Sequence, residues 1–150
     1  MYGKHRGGAD LNNGRNNNCS SCNNGEQLTV MNLECMAGEN NCFRKAVWSG
    51  ENLQVTLMSI PVGGDIGAEL HEDADQLLCI TQGCATVSTG NCECDMRSVS
   101  KADSGNAILV PAGTWHNVTN NSNVPLKLFS VYAPPHHAAN TVQNNKPCDC

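Results

Sequence analysis

Apolar positions in this chain come in short bursts that are separated by Gly, Pro and Asn turns. The clearest burst is LQVTLMSI at residues 53–60, where apolar and β-branched side chains recur before Pro61 and two glycines end the run. No window of ten or more residues has the apolar spacing of a helix. Further bursts are LTVMNL, FRKAVWSG, CATVSTG, AILVPAG, WHNVTN and PLKLFSVYA. Many short strands between turns predict an all-β sandwich or small barrel.

The two ends of the chain differ from this central part. Residues 1–27 are rich in Asn and Gly and have almost no apolar side chains, which predicts a flexible arm. Residues 136–150 follow a double proline and form a short predicted tail that contains cysteines. With 150 residues and 16.0 kDa, the chain fits one domain, which we place at residues 28–135.

Charge and hydropathy limit the partners. The formal net charge is -5 and no cluster of Lys or Arg occurs, which argues against nucleic acid and anionic membranes as partners. No apolar run is long enough to span a bilayer, and the first residues have no hydrophobic segment that could act as a signal peptide. We therefore expect a protein made in the cytoplasm.

Two stretches carry candidate metal ligands. Glu69 and His71 are two residues apart, so on a strand both side chains leave the same face of the sheet. Gln76 follows, just before an apolar run, and His116 lies on a second strand-like run after a turn at residues 111–113. We expect Glu69, His71, Gln76 and His116 to converge.

The spacing of these residues resembles a known family signature. The pattern G-x5-H-x-H-x4-E-x6-G, followed by a Pro/Gly turn and a further His, is that of the cupins. Here it runs through Gly63, Glu69, His71, Gln76, Gly83, Pro111, Gly113 and His116. The chain resembles a small single-domain cupin over residues 43–135. The resemblance implies a jelly-roll β-barrel whose four motif residues point into the mouth around a divalent metal.

The motif departs from the common cupin pattern at two positions. Glu69 stands where many cupins have His, and Gln76 stands where they have Glu. The resulting set has one carboxylate, one amide oxygen and two imidazoles. Such a mixed N/O set suits Fe, Mn, Ni, Co or Zn and does not choose among them.

The chain also has ten cysteines, a density typical of oxidised extracellular proteins and unusual in the cytosol. They are Cys19, Cys22, Cys35, Cys42, Cys79, Cys84, Cys92, Cys94, Cys148 and Cys150. The pairs CSSC, CEC and CDC leave zinc or redox chemistry open, although no second C-x2-C and no βαβ context accompany them. Cys79 alternates with Leu78 and Ile80, so we expect it on the outer surface.

Two main hypotheses of function follow. The first is a structural cupin that assembles with itself and is cross-linked by intermolecular disulfides. Its thiols and Asn/Gly-rich ends resemble proteins of bacterial spore coats, exosporia or fibres, so we expect it on the spore surface, with itself and other Cys-rich spore proteins as partners. The second is a metal-dependent cupin enzyme, an isomerase, lyase or dioxygenase acting on a small polar molecule. A sugar- or small-ligand-binding module would use the same pocket.

The sequence also predicts the positions of five residues near the motif or after it. Asp73 and Asp75 lie on the loop near the mouth and are candidate general bases for the enzyme. Trp115 should face the opposite side of its strand from His116 and pack there. His136 and His137 follow the double proline and are expected to be exposed.

Overall fold

The computed structural model of the protein describes residues 25–148, so Cys19, Cys22 and Cys150 lie outside the described residues. The elements in chain order are α1 (Leu33–Glu39), β1 (Arg44–Ser49), β2 (Gln54–Ile60), β3 (Asp75–Gln82), β4 (Cys84–Gly90), β5 (Met96–Asp103), β6 (Ala107–Val110), β7 (Trp115–Asn120), β8 (Leu126–Ala133) and β9 (Val142–Gln143). A single 3₁₀ turn, Glu93–Asp95, joins β4 to β5. No helix in the described part of the chain has the length and apolar content needed to cross a membrane.

The strands form two antiparallel sheets. The larger has the order β6-β3-β8-β2-β1-β9, and the smaller has the order β5-β4-β7. The sheets are not closed into one continuous barrel, and their arrangement is that of a jelly roll, which confirms the predicted fold class. Isolated bridges from Asp65 to Thr119 and from Glu69 to His116 lay residues 65–69 along β7.

The main core lies between the two sheets. Along β3 the burial alternates, so Leu78 and Ile80 point inward while Cys79 is only partly buried on the other face. This alternation confirms the expected outward position of Cys79. The inner face of the large sheet is apolar towards one end, through Met58, Ile60 and Leu128. Towards the other end it becomes polar, and the candidate site lies there.

A short helix that the pattern did not predict covers the outer face of the large sheet. Asn32 caps α1, because its side-chain oxygen accepts a hydrogen bond from the Cys35 main-chain nitrogen at 3.0 Å. Ala37 of α1 packs with Val47, Val55 and Leu57. A search for helical spacing over ten or more residues does not detect this helix, because it has only seven residues. The burst LTVMNL accordingly leads into this helix and forms no strand.

Candidate metal centre

The two halves of the motif are joined by the main chain. The Glu69 nitrogen donates to the His116 carbonyl at 2.9 Å, and the His116 nitrogen donates to the Glu69 carbonyl at 3.0 Å. The turn before β7 is held as well, because the Gly113 nitrogen donates to the His71 carbonyl at 2.8 Å. Two stretches distant in sequence are therefore held beside each other by hydrogen bonds that do not depend on the ligand side chains.

The side chains of Glu69, His71 and His116 form a cluster that could hold a metal ion. One ligand atom from each lies within 4.8 Å of the others. His71 is 6% exposed and His116 is 2% exposed. Glu69 Oε2 and His71 Nε2 are 3.4 Å apart, and both are buried without a hydrogen-bond partner. Because buried polar atoms are nearly always paired, these free lone pairs fit a bound cation.

Gln76 lies beside His116, and the hydrogen bonds of the two side chains indicate which of their atoms could bind a metal. Its Oε1 lies 2.9 Å from His116 Nε2, while its Nε2 donates to Ser130 Oγ at 3.0 Å. The other imidazole nitrogen, His116 Nδ1, lies 2.9 Å from the Thr114 carbonyl and so carries the proton when the ring is neutral. With that tautomer and amide orientation, Gln76 Oε1 and His116 Nε2 face each other as two acceptors. A divalent ion accepting both lone pairs would relieve this conflict.

Charge at the site is set by one ion pair. Arg44 donates from Nη2 to Glu69 Oε1 at 2.6 Å, and both side chains are largely buried. Burial opposes ionisation of Glu69, but His71 and Arg44 outweigh it and hold the pKa of this carboxyl below its usual value. Glu69 is therefore an anion near neutral pH, as a metal ligand requires.

Burial keeps His116 and Tyr132, two titratable groups at the cluster, neutral. Burial lowers the pKa of His116, which leaves a lone pair free for a metal at neutral pH. Burial, reinforced by Glu69, raises the pKa of Tyr132 to about 12, so its hydroxyl keeps its proton. The ring of Tyr132 meets that of His71 edge-on, with centroids 5.4 Å apart.

His136 and His137 are brought to the site by a buried glutamine. Gln54 is fully buried, and its Oε1 accepts hydrogen bonds from the main-chain nitrogens of both histidines, at 3.1 Å and 2.8 Å. Its Nε2 donates to the His137 carbonyl at 2.7 Å. The His136 ring then lies 4.2 Å from the His71 ring, centroid to centroid.

The expectation of two exposed tail histidines therefore fails for one of them. His136 is exposed, but His137 is half-buried against Tyr132, and its Nε2 is buried without a partner. Burial and the nearby Arg44 lower the pKa of His137 to about 4. Farther along, Val142–Gln143 pairs with β1, and Gln143 Oε1 accepts from Arg44 Nη1 at 3.2 Å.

Two other expectations concern the residues beside the motif. Trp115 is half-buried on the face of β7 opposite His116, as predicted. Asp75 is exposed, and its Oδ1 accepts a hydrogen bond from the Ala112 nitrogen at 2.9 Å. This carboxylate therefore fixes the turn before β7. Asp73 is exposed on the loop before β3.

The sequence patterns did not identify Arg44, Gln54 or Tyr132 as residues of the site. Each lies on a strand of the large sheet, in a burst that looked like ordinary packing. Their polar groups could have identified them, because a polar side chain at an inward position of a core strand requires a hydrogen-bond partner. Without the strand register, however, the inward positions of β1, β2 and β8 could not be assigned.

The seven described cysteines are Cys35, Cys42, Cys79, Cys84, Cys92, Cys94 and Cys148, and all of them are free thiols. Cys35, Cys94 and Cys148 are exposed, and the other four are partly buried. Within residues 25–148 no disulfide is formed. Cys92 and Cys94 lie at the tip of the β4–β5 hairpin, at the start of its 3₁₀ turn.

Two known proteins are similar to this chain in sequence. The chain is 46% identical over 122 residues to the uncharacterized protein YrkC of Bacillus subtilis (strain 168), covering 81% of this chain and 66% of that protein, just under two thirds. It is 34% identical over 125 residues to an uncharacterized protein of Acanthamoeba polyphaga mimivirus, covering 83% of this chain and 76% of that protein.

A solved structure and a family model also match the chain. The crystal structure of BH2720 from Bacillus halodurans superposes with a TM-score of 0.79 at 46% identity, covering 83% of this chain and 94% of that one. The family model described as the cupin domain matches residues 56–132, which include Glu69, His71, Gln76 and His116. Since this match covers half of the chain and the fold is a jelly roll, this chain belongs to the cupin family.

Proposed function

We propose that this cupin is a structural protein whose copies assemble and are cross-linked by intermolecular disulfides, with a metal-binding pocket retained inside each copy. The proposal is carried by one observation: none of the seven described cysteines is buried. Free cysteine is among the residues most often found in protein interiors. A chain that keeps all of its described thiols at or near the surface offers them to other molecules.

The chemistry of cross-linking is simple. Two thiols on neighbouring copies lose two protons and two electrons and form one disulfide, while molecular oxygen takes them up as hydrogen peroxide. The thiolate is the reactive form. A hydrogen bond to Asp103 raises the pKa of Cys84, and a hydrogen bond to Cys92 raises the pKa of Cys94. Both thiols therefore react faster as the pH rises above neutral.

The proposed location is the surface of a bacterial spore, in the coat, the exosporium or a fibre. Ten cysteines would remain reduced in the cytosol and oxidise once exposed to air. The Asn/Gly-rich composition of residues 1–27 supports an assembled structural protein, with other Cys-rich spore proteins as further partners.

A gel without reductant tests this function. Protein purified with its thiols reduced is exposed to air and run beside a sample whose thiols were first blocked with iodoacetamide. We expect a ladder or insoluble material that collapses to one 16.0 kDa band with reductant, and no ladder after blocking. A monomer in both lanes after complete loss of free thiols would mean intramolecular pairing and would overturn the proposal.

A second function, metal-dependent catalysis, is favoured by the buried and unpaired Oε2 of Glu69 and ring nitrogens of His71, which lie within 4.8 Å of a ring nitrogen of His116. A divalent ion there would polarise a substrate oxygen or activate a water molecule, as in an isomerase, lyase or dioxygenase. Arg44 orients Glu69, and Tyr132 supplies a hydroxyl proton nearby. Turnover of a small polar substrate that is lost in His71→Ala, with air-induced cross-linking unchanged, would establish catalysis as a separate activity.

A further inference from the structure

The hairpin between β4 and β5 carries two thiols that contact each other at its tip. Cys92 comes directly before the 3₁₀ turn Glu93–Asp95, and Cys94 lies in the middle of that turn. The thiols of Cys92 and Cys94 share a hydrogen bond, and this contact raises the pKa of Cys94. Neither thiol belongs to the metal cluster described above, so the pair is a separate group of sulfur ligands.

The backbone holds these two cysteines in place. The Asp95 nitrogen donates to the Cys92 carbonyl at 3.2 Å, which closes the turn around Cys94. Gly90 pairs with Met96 where the strands meet the turn, and a Cβ on Gly90 would lie 2.1 Å from the Asp95 carbonyl oxygen. The base of the tip is therefore closely packed. Two thiols held in this way lose little freedom when they bind the same ligand.

Both sulfurs are accessible from solvent. Cys94 is exposed and Cys92 is half-buried. The neighbouring carboxylate of Asp95 already has a partner, because its Oδ1 accepts from Nε and Nη2 of Arg97 at 3.4 Å. The tip therefore presents sulfur, and not the Asp95 carboxylate, to an incoming ligand.

The number of ligand atoms limits what the pair can bind. Within residues 25–148, three ligand atoms of His, Cys, Asp or Glu come together at Glu69, His71 and His116. The hairpin tip offers two sulfurs without a third such atom from the described part of the chain. Structural zinc sites use four ligands, and Ca²⁺ and Mg²⁺ take oxygen. Two thiolates alone fit a soft ion of low coordination number, and Cu⁺ is such an ion.

The spacing of the two sulfurs fits one ion between them. Sulfurs bound to the same metal ion lie within about 4.6 Å of each other, twice a metal–sulfur bond of about 2.3 Å. Thiols that share a hydrogen bond are within that reach. On binding, each thiol releases its proton and donates a lone pair, and the ion keeps its oxidation state. A disulfide between the same sulfurs would exclude the ion, so the site belongs to the reduced chain.

We propose that Cys92 and Cys94 form a binding site for a soft monovalent ion of the Cu⁺ type at the tip of the β4–β5 hairpin. The site goes beyond the proposed cross-linking and does not depend on it, since both ligands lie in one copy. The chain would then have two metal sites of different chemistry, a mixed nitrogen and oxygen set inside the jelly roll and a sulfur pair at its surface.

Cu⁺ binding to two variants of the full chain tests the site. Each variant keeps two of the ten cysteines and has Ser at the other eight. One keeps Cys92 and Cys94. The matched control keeps Cys84 and Cys94, because Cys84 begins β4 and so lies at the opposite end of the hairpin from the tip. The reduced chains are titrated under nitrogen with the acetonitrile complex of Cu⁺ against bicinchoninate, a chromogenic competitor. The histidine cluster is present in both variants and cancels in the comparison.

We expect one Cu⁺ per chain in the first variant, bound at least about tenfold more tightly than in the control, because the second thiol acts within the same chain. Zn²⁺ should bind the two variants equally, since two sulfurs are too few for it. Equal Cu⁺ affinities would overturn the site. So would one Cu⁺ for every two chains, which would mean that the ion bridges copies, or tighter Zn²⁺ binding in the first variant.

A second measurement keeps the test decisive if the eight substitutions unfold the chain. In the otherwise native chain, Cys92→Ser with Cys94→Ser should lower the number of tightly bound Cu⁺ ions by one. Cys35→Ser with Cys84→Ser removes two thiols from separate elements and should leave that number unchanged. The same loss in both variants, or no loss in the first, would contradict the site.

Discussion

Glu69 and His116 exchange both of their main-chain hydrogen bonds, at 2.9 Å and 3.0 Å, outside any regular strand pair. This bridge fixes the backbone of one predicted ligand against that of another before any metal is present. The side chains of Glu69, His71 and His116 then lie with their ligand atoms within 4.8 Å. Changes to these side chains should therefore affect metal binding far more than the fold.

Removing either histidine ligand should abolish tight metal binding. We expect His71→Ala and His116→Ala to lose at least tenfold in affinity for Zn²⁺ or Co²⁺, because each removes one of the few donors to the ion. Calorimetric titration of the reduced chain measures this, and His5→Ala, outside the described residues, is the matched control. The metal assignment fails if both variants bind as wild type does.

Gln76→Glu should make the fold depend on metal. The new carboxylate would lie near Glu69 in a buried place, so without metal we expect a loss of about 2 kcal/mol in the free energy of unfolding. A bound divalent ion would offset this repulsion and bind more tightly. Urea unfolding with a chelator and with Zn²⁺ measures the two cases. Equal stability with and without metal would argue against Gln76 as a ligand.

Gln54→Met should release residues 134–137, which form a cover over the site through His136 and His137. Gln54 makes hydrogen bonds to His136 and His137 from a fully buried position, so we expect a loss of about 2–3 kcal/mol in unfolding free energy. Hydrogen exchange should also become faster at residues 136–137. Gln82→Met is the matched control, because Gln82 is exposed with a bond to the Pro125 carbonyl, and it should cost less than about 0.5 kcal/mol. Unchanged exchange in Gln54→Met would show that other contacts hold the cover.

Acid should destabilise the fold partly through His137. Its pKa falls from 6.5 to about 4 in the folded chain, so between these values the unfolded chain binds more protons than the folded one. Stability is therefore highest above pH 6.5 and is lost as the pH falls towards 4. His137→Asn should reduce this loss, measured as the difference in unfolding free energy between pH 7 and pH 5. A pH dependence as steep as that of wild type would place the effect on His116 and His136, whose pKa values are also lowered.

Replacing the terminal cysteines should separate assembly from folding. Changing Cys19, Cys22, Cys148 and Cys150 to Ser should weaken the air-induced ladder, because these thiols belong to the predicted arm and tail. The unfolding free energy of the reduced chain should change by less than about 0.5 kcal/mol, as expected for substitutions in a predicted arm and tail with few apolar side chains. Cys79→Ser, on a core strand, serves for comparison. An undiminished ladder in the fourfold variant would move the cross-links to the six remaining cysteines, which lie between residues 35 and 94.

Part of this site was accessible from the sequence because it depends on short-range order. Glu69 and His71 share a face by the two-residue period of a strand, and Pro111 and Gly113 mark the turn before His116. The same period correctly assigned Cys79 and Trp115 to outer faces. Sequence periodicity did not reveal α1, because this helix is too short to show a helical period. It is stabilised by the Asn32 cap and by packing on the sheet.

The sequence by itself determined the strands, the turns and the identities of four residues that could meet at a metal. Only the tertiary structure decided what surrounds them: Arg44 on Glu69, Tyr132 beside His71, and His137 held by Gln54. These contacts join strands that pair in the order β3-β8-β2-β1, which is unrelated to their order in the chain. Local preference sets where a strand begins and ends, whereas the partners of an inward polar side chain depend on register between distant segments.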